Sequence, residues 1–369
     1  MGIAIAILGI LVILLVFADI FATIIEPRTV ERPFSLTAIY YRLSWKATRV
    51  IAKTVRAMPG RREGLLSKFG PASLIGLLIL WAALLISGFA AVLYGFEIPL
   101  SDAQETSFGS YLYVCAVTFF TLGYGDMTAQ TGIGRAVAVI AAGTGFGMLA
   151  MVISYIPVLY QAFSKRESTA LLLDARAGSP PTAGELLRRY AGDETEGLEQ
   201  LFETFEKWCA NLLESFLSYP MLAMYRSQHE KLSWFACLTA ILDATAFVQA
   251  AYEEADSGCR RLRRQAELTF AIARHLVVDL AFILNVEPMK GGADRLSAEE
   301  FSRFVAHLQA DGTKVRDDAH ARLSALRHKY EPYLNSLSRE MILALPPWLP
   351  EPTSKDSWQT SAWDKDGHF

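Results

Sequence analysis

The sequence predicts an all-α membrane protein in two parts, a membrane-embedded first half and a helical bundle in the second. The first 163 of the 369 residues contain three apolar runs of membrane length. Only 11 of the 35 Lys and Arg residues and 8 of the 38 Asp and Glu residues fall in that part. Beyond it, apolar residues recur with the helical period and without strand-like alternation. These observations together define the fold class.

The first apolar run covers residues 3–25, close to the ~20 residues that a helix needs to cross a bilayer. A signal peptide is the alternative, but it needs a basic start, and no Lys or Arg precedes Arg28. We therefore expect residues 1–25 to form a retained N-terminal transmembrane helix. Asp19 lies near its charged end, where it is either a functional carboxylate or an interfacial residue with an Arg partner.

The charge of the loops predicts the orientation. Residues 26–70 carry ten basic and three acidic residues, whereas residues 95–107 carry three acidic and no basic ones. The positive-inside rule places the first segment in the cytoplasm and the second outside the cell membrane. The N-terminus is then outside, and everything after the last apolar run is cytoplasmic.

The basic linker at residues 26–70 contains a predicted amphipathic helix, because its basic residues recur every three or four positions opposite an apolar stripe. We expect this helix to lie flat on the inner leaflet, with its basic stripe on anionic head groups. The alternative is a helix packed on the cytosolic domain. The basic residues are Arg42, Lys46, Arg49, Lys53 and Arg56, and the apolar ones are Leu36, Ile39, Tyr40, Leu43, Ala47, Val50 and Ile51.

Residues 71–163 are predicted to form two spanning helices around a short re-entrant element. Pro71 precedes a charge-free run at residues 72–94, and a second long run covers residues 133–160. Between them, residues 107–120 suit a short helix that enters from outside. Non-helical backbone after such a helix is tolerated at membrane depth only where it lines water or is buried in protein.

Residues 118–126 read Thr-Phe-Phe-Thr-Leu-Gly-Tyr-Gly-Asp. Several consecutive carbonyls can face one axis only if some residues adopt positive φ, which glycine reaches without a Cβ clash. In selective pores, rings of backbone carbonyls replace the water shell of an ion. Gly123 and Gly125 would supply the positive φ angles that such rings require. The segment resembles the pore signature of potassium channels, Thr-x-x-Thr-x-Gly-Tyr-Gly-Asp, with Leu122 where Val is most common.

The resemblance implies a homotetramer that conducts K+, since one pore loop per chain cannot surround an ion. It implies no organic cofactor. The implied K+ sites are formed by Thr121, Leu122, Gly123 and Tyr124, followed by Gly125. The residues implied to support the filter and its outer mouth are Thr118, Val117, Tyr113 and Asp126.

The pore helix departs from one bacterial pattern, which carries a Glu behind the filter where this chain has Val117. We expect the hydroxyl of Tyr113, one turn earlier, to bond Asp126 instead. Glu97, Asp102 and Glu105 would add negative charge to the outer vestibule.

Two residues of the last apolar run are candidate gating residues. By its position after the filter, Gly145 falls where two-helix potassium channels carry a hinge glycine, although close packing of helices through Gly143, Gly145 and Gly147 is the alternative. Pro157 removes one backbone hydrogen bond and would bend the helix. No Arg-rich sensor helix precedes the pore.

Residues 164–345 are expected to form a bundle of five to seven helices. Thr182 and Glu185 predict a capping box at the start of one of them. Residues 232–252 contain one charge, Asp243, whose insertion cost of ~2.5 to 3.5 kcal/mol favours a buried core helix over a fourth span.

The rest of the composition narrows the function. The net charge of −3 gives no case for nucleic acid, and the four cysteines have no metal or disulfide spacing. No nucleophile, metal or phosphate-binding constellation stands out, so we expect no enzyme. A non-selective cation pore and a membrane-tethered enzyme or adaptor are the alternatives to a potassium channel gated by its helical domain. Residues 346–369, with four prolines and three tryptophans, are expected to be a flexible tail.

Overall fold

The computed structural model describes residues 2–25, 35–54, 59–101, 107–192, 195–227, 232–253, 257–289, 291–292 and 294–350. Within them the chain is helical apart from loops and two isolated bridges, which confirms the all-α prediction. It forms two compact units, Met1–Gln161 and Ala162–Phe369. The helices that begin in the first unit are α1 (Gly2–Ile20), α2 (Leu36–Thr54), α3 (Pro59–Gly95), α4 (Phe108–Phe119) and α5 (Gly132–Ala177).

The N-terminal helix α1 packs antiparallel to α3 through small residues. Gly2 lies against Gly95, and Gly9 against Gly88. A Cβ built on Gly9 would stand 2.6 Å from the carbonyl oxygen of Gly88, so no side chain fits between the two backbones. Close approach through small residues is how apolar helices associate in lipid. Because α1 and α3 run in opposite directions and the start of α1 lies beside the end of α3, both are suited to span one membrane.

The outer helix α3 begins at Pro59, so Pro71, which precedes the predicted span at residues 72–94, lies inside the helix. At about 1.5 Å per residue, α3 is about 55 Å long, far more than the ~30 Å hydrocarbon core of a bilayer. Its earlier part is supported by α2, whose Trp45 ring lies 4.9 Å from the ring of Phe69. A packed neighbour therefore maintains the helix on both sides of the proline.

The linker helix α2 runs along α3, a partner that the sequence did not predict. Trp45 and Ala52 are buried, and the Tyr40 hydroxyl lies against Gly76. The predicted apolar stripe is divided, because Leu36 and Tyr40 pack on the core of the first unit. The exposed residues of α2 include Ile39, Arg42, Leu43, Lys46, Val50, Ile51 and Lys53, while Arg56 lies outside the described residues.

The short helix α4 and the long helix α5 confirm the predicted order of a long helix, a short helix, a non-helical segment and a second long helix. However, α5 continues beyond the predicted end at residue 160 to Ala177, with Pro157 inside it. The apolar run ends where charged residues begin, but charged residues do not end a helix. Gly178, at φ +84°, is the first residue with a helix-terminating conformation.

In the described part of the second unit, seven α-helices follow α5, in agreement with the predicted five to seven. α8 is the central one, and 94% of its residues are buried. Although it is one of four described helices apolar and long enough to cross a membrane, it is a core helix, as predicted. The seven are α6 (Ala183–Arg189), α7 (Thr195–Ser218), α8 (Trp234–Ala251), α9 (Ser257–Ile283), α10 (Ala298–Ala310), α11 (Ala319–Arg327) and α12 (Glu331–Met341).

The charge at the centre of α8 is compensated. Asp243 is 1% exposed and accepts hydrogen bonds from both terminal nitrogens of Arg295, at 2.7 and 2.9 Å. The hydroxyl of Tyr330, itself buried, donates to the same carboxylate at 2.6 Å. Arg295 also pairs with Glu331 at 3.0 Å. The carboxylate thereby connects α8 with the segment before α10 and with the start of α12.

The start of α6 is only partly as predicted. The Thr182 hydroxyl accepts the backbone N–H of Glu185 at 3.2 Å, which is the expected cap. The Glu185 carboxylate instead pairs with Arg188 at 2.8 Å and Arg189 at 2.6 Å, so the reciprocal half of the capping box is missing. Burial raises the pKa of Glu185, but the hydrogen bonds from the two arginines outweigh it and hold the pKa below its usual value.

Replacing Asp243 with Ala should destabilise the helical unit by about 3–5 kcal/mol, because it leaves the Arg295 guanidinium buried without its partner. Thermal unfolding of the full-length protein in detergent, followed by circular dichroism, measures this loss. Glu203→Ala is the control, since it removes an exposed ion pair with Lys207. A midpoint for Asp243→Ala as high as that of the control would contradict the structural role given to this pair.

Candidate ion-conduction site

The backbone that follows α4 has a positive φ at every second residue. Thr121, Gly123 and Gly125 have φ angles of +57°, +59° and +78°, and the intervening Leu122 and Tyr124 do not have positive φ. Alternating left- and right-handed residues turn successive peptide groups the same way. The sequence predicted this at the two glycines and missed it at Thr121, where a non-glycine residue bears the strain.

The inner end of this segment is fastened to α4 by its backbone. The N–H of Thr121 donates to the Thr118 carbonyl at 3.0 Å, and the N–H of Leu122 donates to the Val117 carbonyl at 2.9 Å. The Thr121 hydroxyl donates to the carbonyl of Phe120 at 2.7 Å. Val117 therefore takes part in this anchoring through its backbone carbonyl.

The outer end is fastened to α4 by a side chain. The hydroxyl of Tyr113 donates to Asp126 Oδ2 at 2.7 Å, which is the contact that the sequence predicted. This bond closes a loop from the middle of α4 to the residue after the last filter glycine. Glu97 is exposed near the end of α3, while Asp102 and Glu105 lie outside the described residues.

A second brace holds the residues that follow Asp126. The N–H of Ser101 donates to the Thr128 carbonyl at 2.9 Å, and the N–H of Gln130 donates to the Pro99 carbonyl at 3.0 Å. The buried Tyr111 hydroxyl donates to the Ile98 carbonyl at 2.8 Å. The chain on either side of the filter segment is thus joined to the end of α3, by bonds that the sequence pattern did not indicate.

The inner helix touches the base of the site at Gly145. A Cβ built there would overlap the carbonyl oxygen of Phe119, the last residue of α4, whereas nothing lies within 4 Å of a Cβ on Gly143 or Gly147. Of the three central glycines, Gly145 is therefore the one that close packing within the chain requires. An apolar groove of about 490 Å³ beside this contact, lined by α3 and α5, reaches Phe120 and Thr121.

The site offers oxygen atoms from the backbone and from Thr121, rather than a cluster of charged ligands. Within the described residues, no group of three His, Cys, Asp or Glu side chains is placed to hold a metal ion. Leu122 and Tyr124 are 55% and 68% exposed in the single chain. A single chain therefore leaves both side chains uncovered.

Two long helices around a short helix and a non-helical loop, together with the apolar α1, define a multi-pass membrane protein. Residues 79–161 match the family described as Ion channel, and this match supports ion conduction by that part of the chain. The match includes α4, the filter segment and the central glycines of α5.

The chain is also similar to YdjJ, an uncharacterized membrane protein of Bacillus subtilis (strain 168), with 24% identity over 196 residues. The aligned part covers 52% of this chain and 56% of that protein, so the chain spans about half the length of this relative. No solved structure matches the chain.

Replacing Gly145 with Ala should destabilise the pore unit by about 1–3 kcal/mol, because the added methyl group displaces either α5 or the end of α4. Gly143→Ala is the matched control on the same helix and should leave stability unchanged or slightly raised. Thermal unfolding of both full-length variants in detergent measures the difference. Equal midpoints would show that α5 does not contact Phe119 as described.

Proposed function

We propose that this protein is a homotetrameric potassium channel whose filter is formed by residues 121–125 of each chain. The observation that carries the proposal is the alternation of φ along the potassium-channel signature, since it directs successive carbonyls to one side. Carbonyl rings of this kind replace the hydration shell of K+. The ion sites are the carbonyls of Thr121, Leu122, Gly123 and Tyr124, with the Thr121 hydroxyl at the inner end.

Exposed apolar side chains in the first unit support assembly of several chains around a shared axis. One loop cannot surround an ion, and the filter side chains are open to solvent in the single chain. α5 also presents Val139, Phe146 and Ile153, each at least 65% exposed. In the proposed tetramer, lipid covers part of this apolar surface and neighbouring copies of the chain cover another part.

Charge and topology support cation entry from outside. Asp126 lies immediately outside the filter, and Glu97 follows α3 on the same side of the unit. With the basic linker in the cytoplasm, the N-terminus and Asp126 are external and the helical unit is cytoplasmic. We propose that this unit regulates the pore and that α5 bends at Gly145 or Pro157 when the channel opens.

The proposal predicts a reversal potential close to the K+ equilibrium potential in planar bilayers with K+ on one side and Na+ on the other. Gly123→Ala should reduce this selectivity, because an L-residue at φ +59° costs about 1–2 kcal/mol and reorients the carbonyl. Leu122→Val is the matched control and should remain selective, since valine is the commoner residue there. A wild-type reversal potential near zero would mean a non-selective pore.

We also propose that the basic stripe of α2 binds anionic lipid head groups. Tyr40 and Trp45 pack on α3 at Gly76 and Phe69, the level at which the charge-free run of α3 begins. The exposed basic residues Arg42 and Lys46 lie next to these contacts, so they reach the inner surface of the bilayer. The exposed Ile39 and Leu43 on the adjoining face suit acyl chains.

In proteoliposomes, ion flux should change with the fraction of phosphatidylglycerol. Arg42→Gln combined with Lys46→Gln should abolish that dependence, since each basic residue near an anionic surface contributes about 1 kcal/mol. Lys207→Gln, a matched charge removal in the second unit, should retain it. Flux that is equal at every phosphatidylglycerol content would rule out this use of α2.

A further inference from the structure

Asp19 is a buried carboxylate in the most apolar helix of the chain. It is 6% exposed, near the C-terminal end of α1. Its helix neighbours Val16 and Ile20 belong to the same buried cluster as Leu77 and Trp81 of α3. Burying an ionisable group in such surroundings costs free energy unless the group is fully hydrogen-bonded. The hydrogen-bond partners of Asp19 therefore indicate its role.

The partners come from two other helical segments. Asp19 Oδ2 accepts the indole N–H of Trp81 at 2.9 Å, and also the hydroxyl and the N–H of Thr37 at 2.7 and 3.1 Å. Oδ1 accepts the hydroxyl of Ser35 at 3.1 Å. In the described part of the chain these donors are all neutral: hydroxyl, amide and indole groups.

Asp19 caps α2 from a different helix. The N–H of Thr37 is in the first turn of α2, where backbone N–H groups have no acceptor within the helix. Ser35 occupies the capping position and accepts the N–H of Ala38 at 3.1 Å while donating to Asp19. A negative charge at a helix N-terminus is stabilising, so the carboxylate and the start of α2 hold each other in place.

Asp19 and its hydrogen-bond partners lie where α1 and α2 meet on α3. α1 lies along α3 from Gly95 towards Trp81, and α2 lies along it from Gly76 towards the N-terminal end of α3. The two segments meet at Asp19. Packing of the kind seen at Gly9 would be enough to hold α1 on α3. The carboxylate adds a direct connection from the first turn of α2 to the Trp81 side chain.

We propose that Asp19 is the positioning residue through which α2 acts on the outer pore helix, so that anionic lipid bound at Arg42 and Lys46 changes the activity of the pore. The inference rests on the proposed channel function and on the proposed lipid contact of α2. It assigns the regulation to one carboxylate and to the indole N–H of Trp81. Lipid binding itself does not need Asp19.

The test compares wild type with Asp19→Asn and Trp81→Phe in proteoliposomes of increasing phosphatidylglycerol content. Wild-type flux should change by about 5-fold or more, a usual strength for coupling between sites. Both variants should conduct with little lipid dependence, and the double variant should be no worse than either, because both changes break one connection. Trp81→Phe keeps an aromatic ring and removes the indole N–H, so it remains informative where Asp19→Asn fails to fold.

Hydrogen exchange provides a readout that does not require flux. Phosphatidylglycerol should protect residues 35–54 and residues 72–81 in wild type, but only residues 35–54 in Trp81→Phe. A purely structural role predicts variants with lower unfolding midpoints and unchanged lipid dependence, and that result would overturn the inference. Selective flux that is insensitive to lipid in wild type would overturn it while leaving the channel proposal intact. Absence of K+ flux in wild type would instead count against the channel.

Discussion

The non-helical backbone at residues 121–126 is the constraint on which the first unit depends. In a bilayer, unpaired peptide groups are tolerated only where protein buries them or where they face water. The chain meets this requirement by pairing each end of the segment with α4, through the Val117 and Thr118 carbonyls inside and Tyr113 outside. Rigid anchoring of both ends is what allows Thr121 to keep a left-handed conformation.

The two units bury a carboxylate by different means. Asp243 has a guanidinium partner and a tyrosine hydroxyl, so its charge is neutralised inside the bundle. Asp19 has only neutral donors in the described residues, and its charge is offset by dipoles that include the start of α2. The first arrangement favours a fixed core, because removing either partner is strongly penalised. The second relies on neutral contacts, and it joins α1, α3 and the start of α2 at one carboxylate.

Much of the fold could be predicted because the sequence signals were local. The length of the apolar runs indicated the spans, the single Asp243 indicated a core helix, and the two filter glycines indicated positive φ. The differences had two causes. α2 supports α3 on the near side of Pro71, which is a tertiary contact that no local pattern contains. α5 continues past its apolar run to Gly178 because charged residues do not end a helix. The strain at Thr121 was missed because its sequence neighbours give no sign of the hydrogen bonds that impose it.

The contact at Gly145 joins two regions that the sequence analysis considered separately: the central glycines of α5 and the segment that begins at Thr121. A hinge glycine needs only freedom of its own backbone, but Gly145 also lies against the Phe119 carbonyl, two residues before Thr121. Bending α5 at this point therefore changes the packing beneath the filter. Gly143 and Gly147 have no such contact within the chain. Of the three central glycines, Gly145 is therefore the one at which the packing of α5 is tied to the base of the segment at residues 121–126.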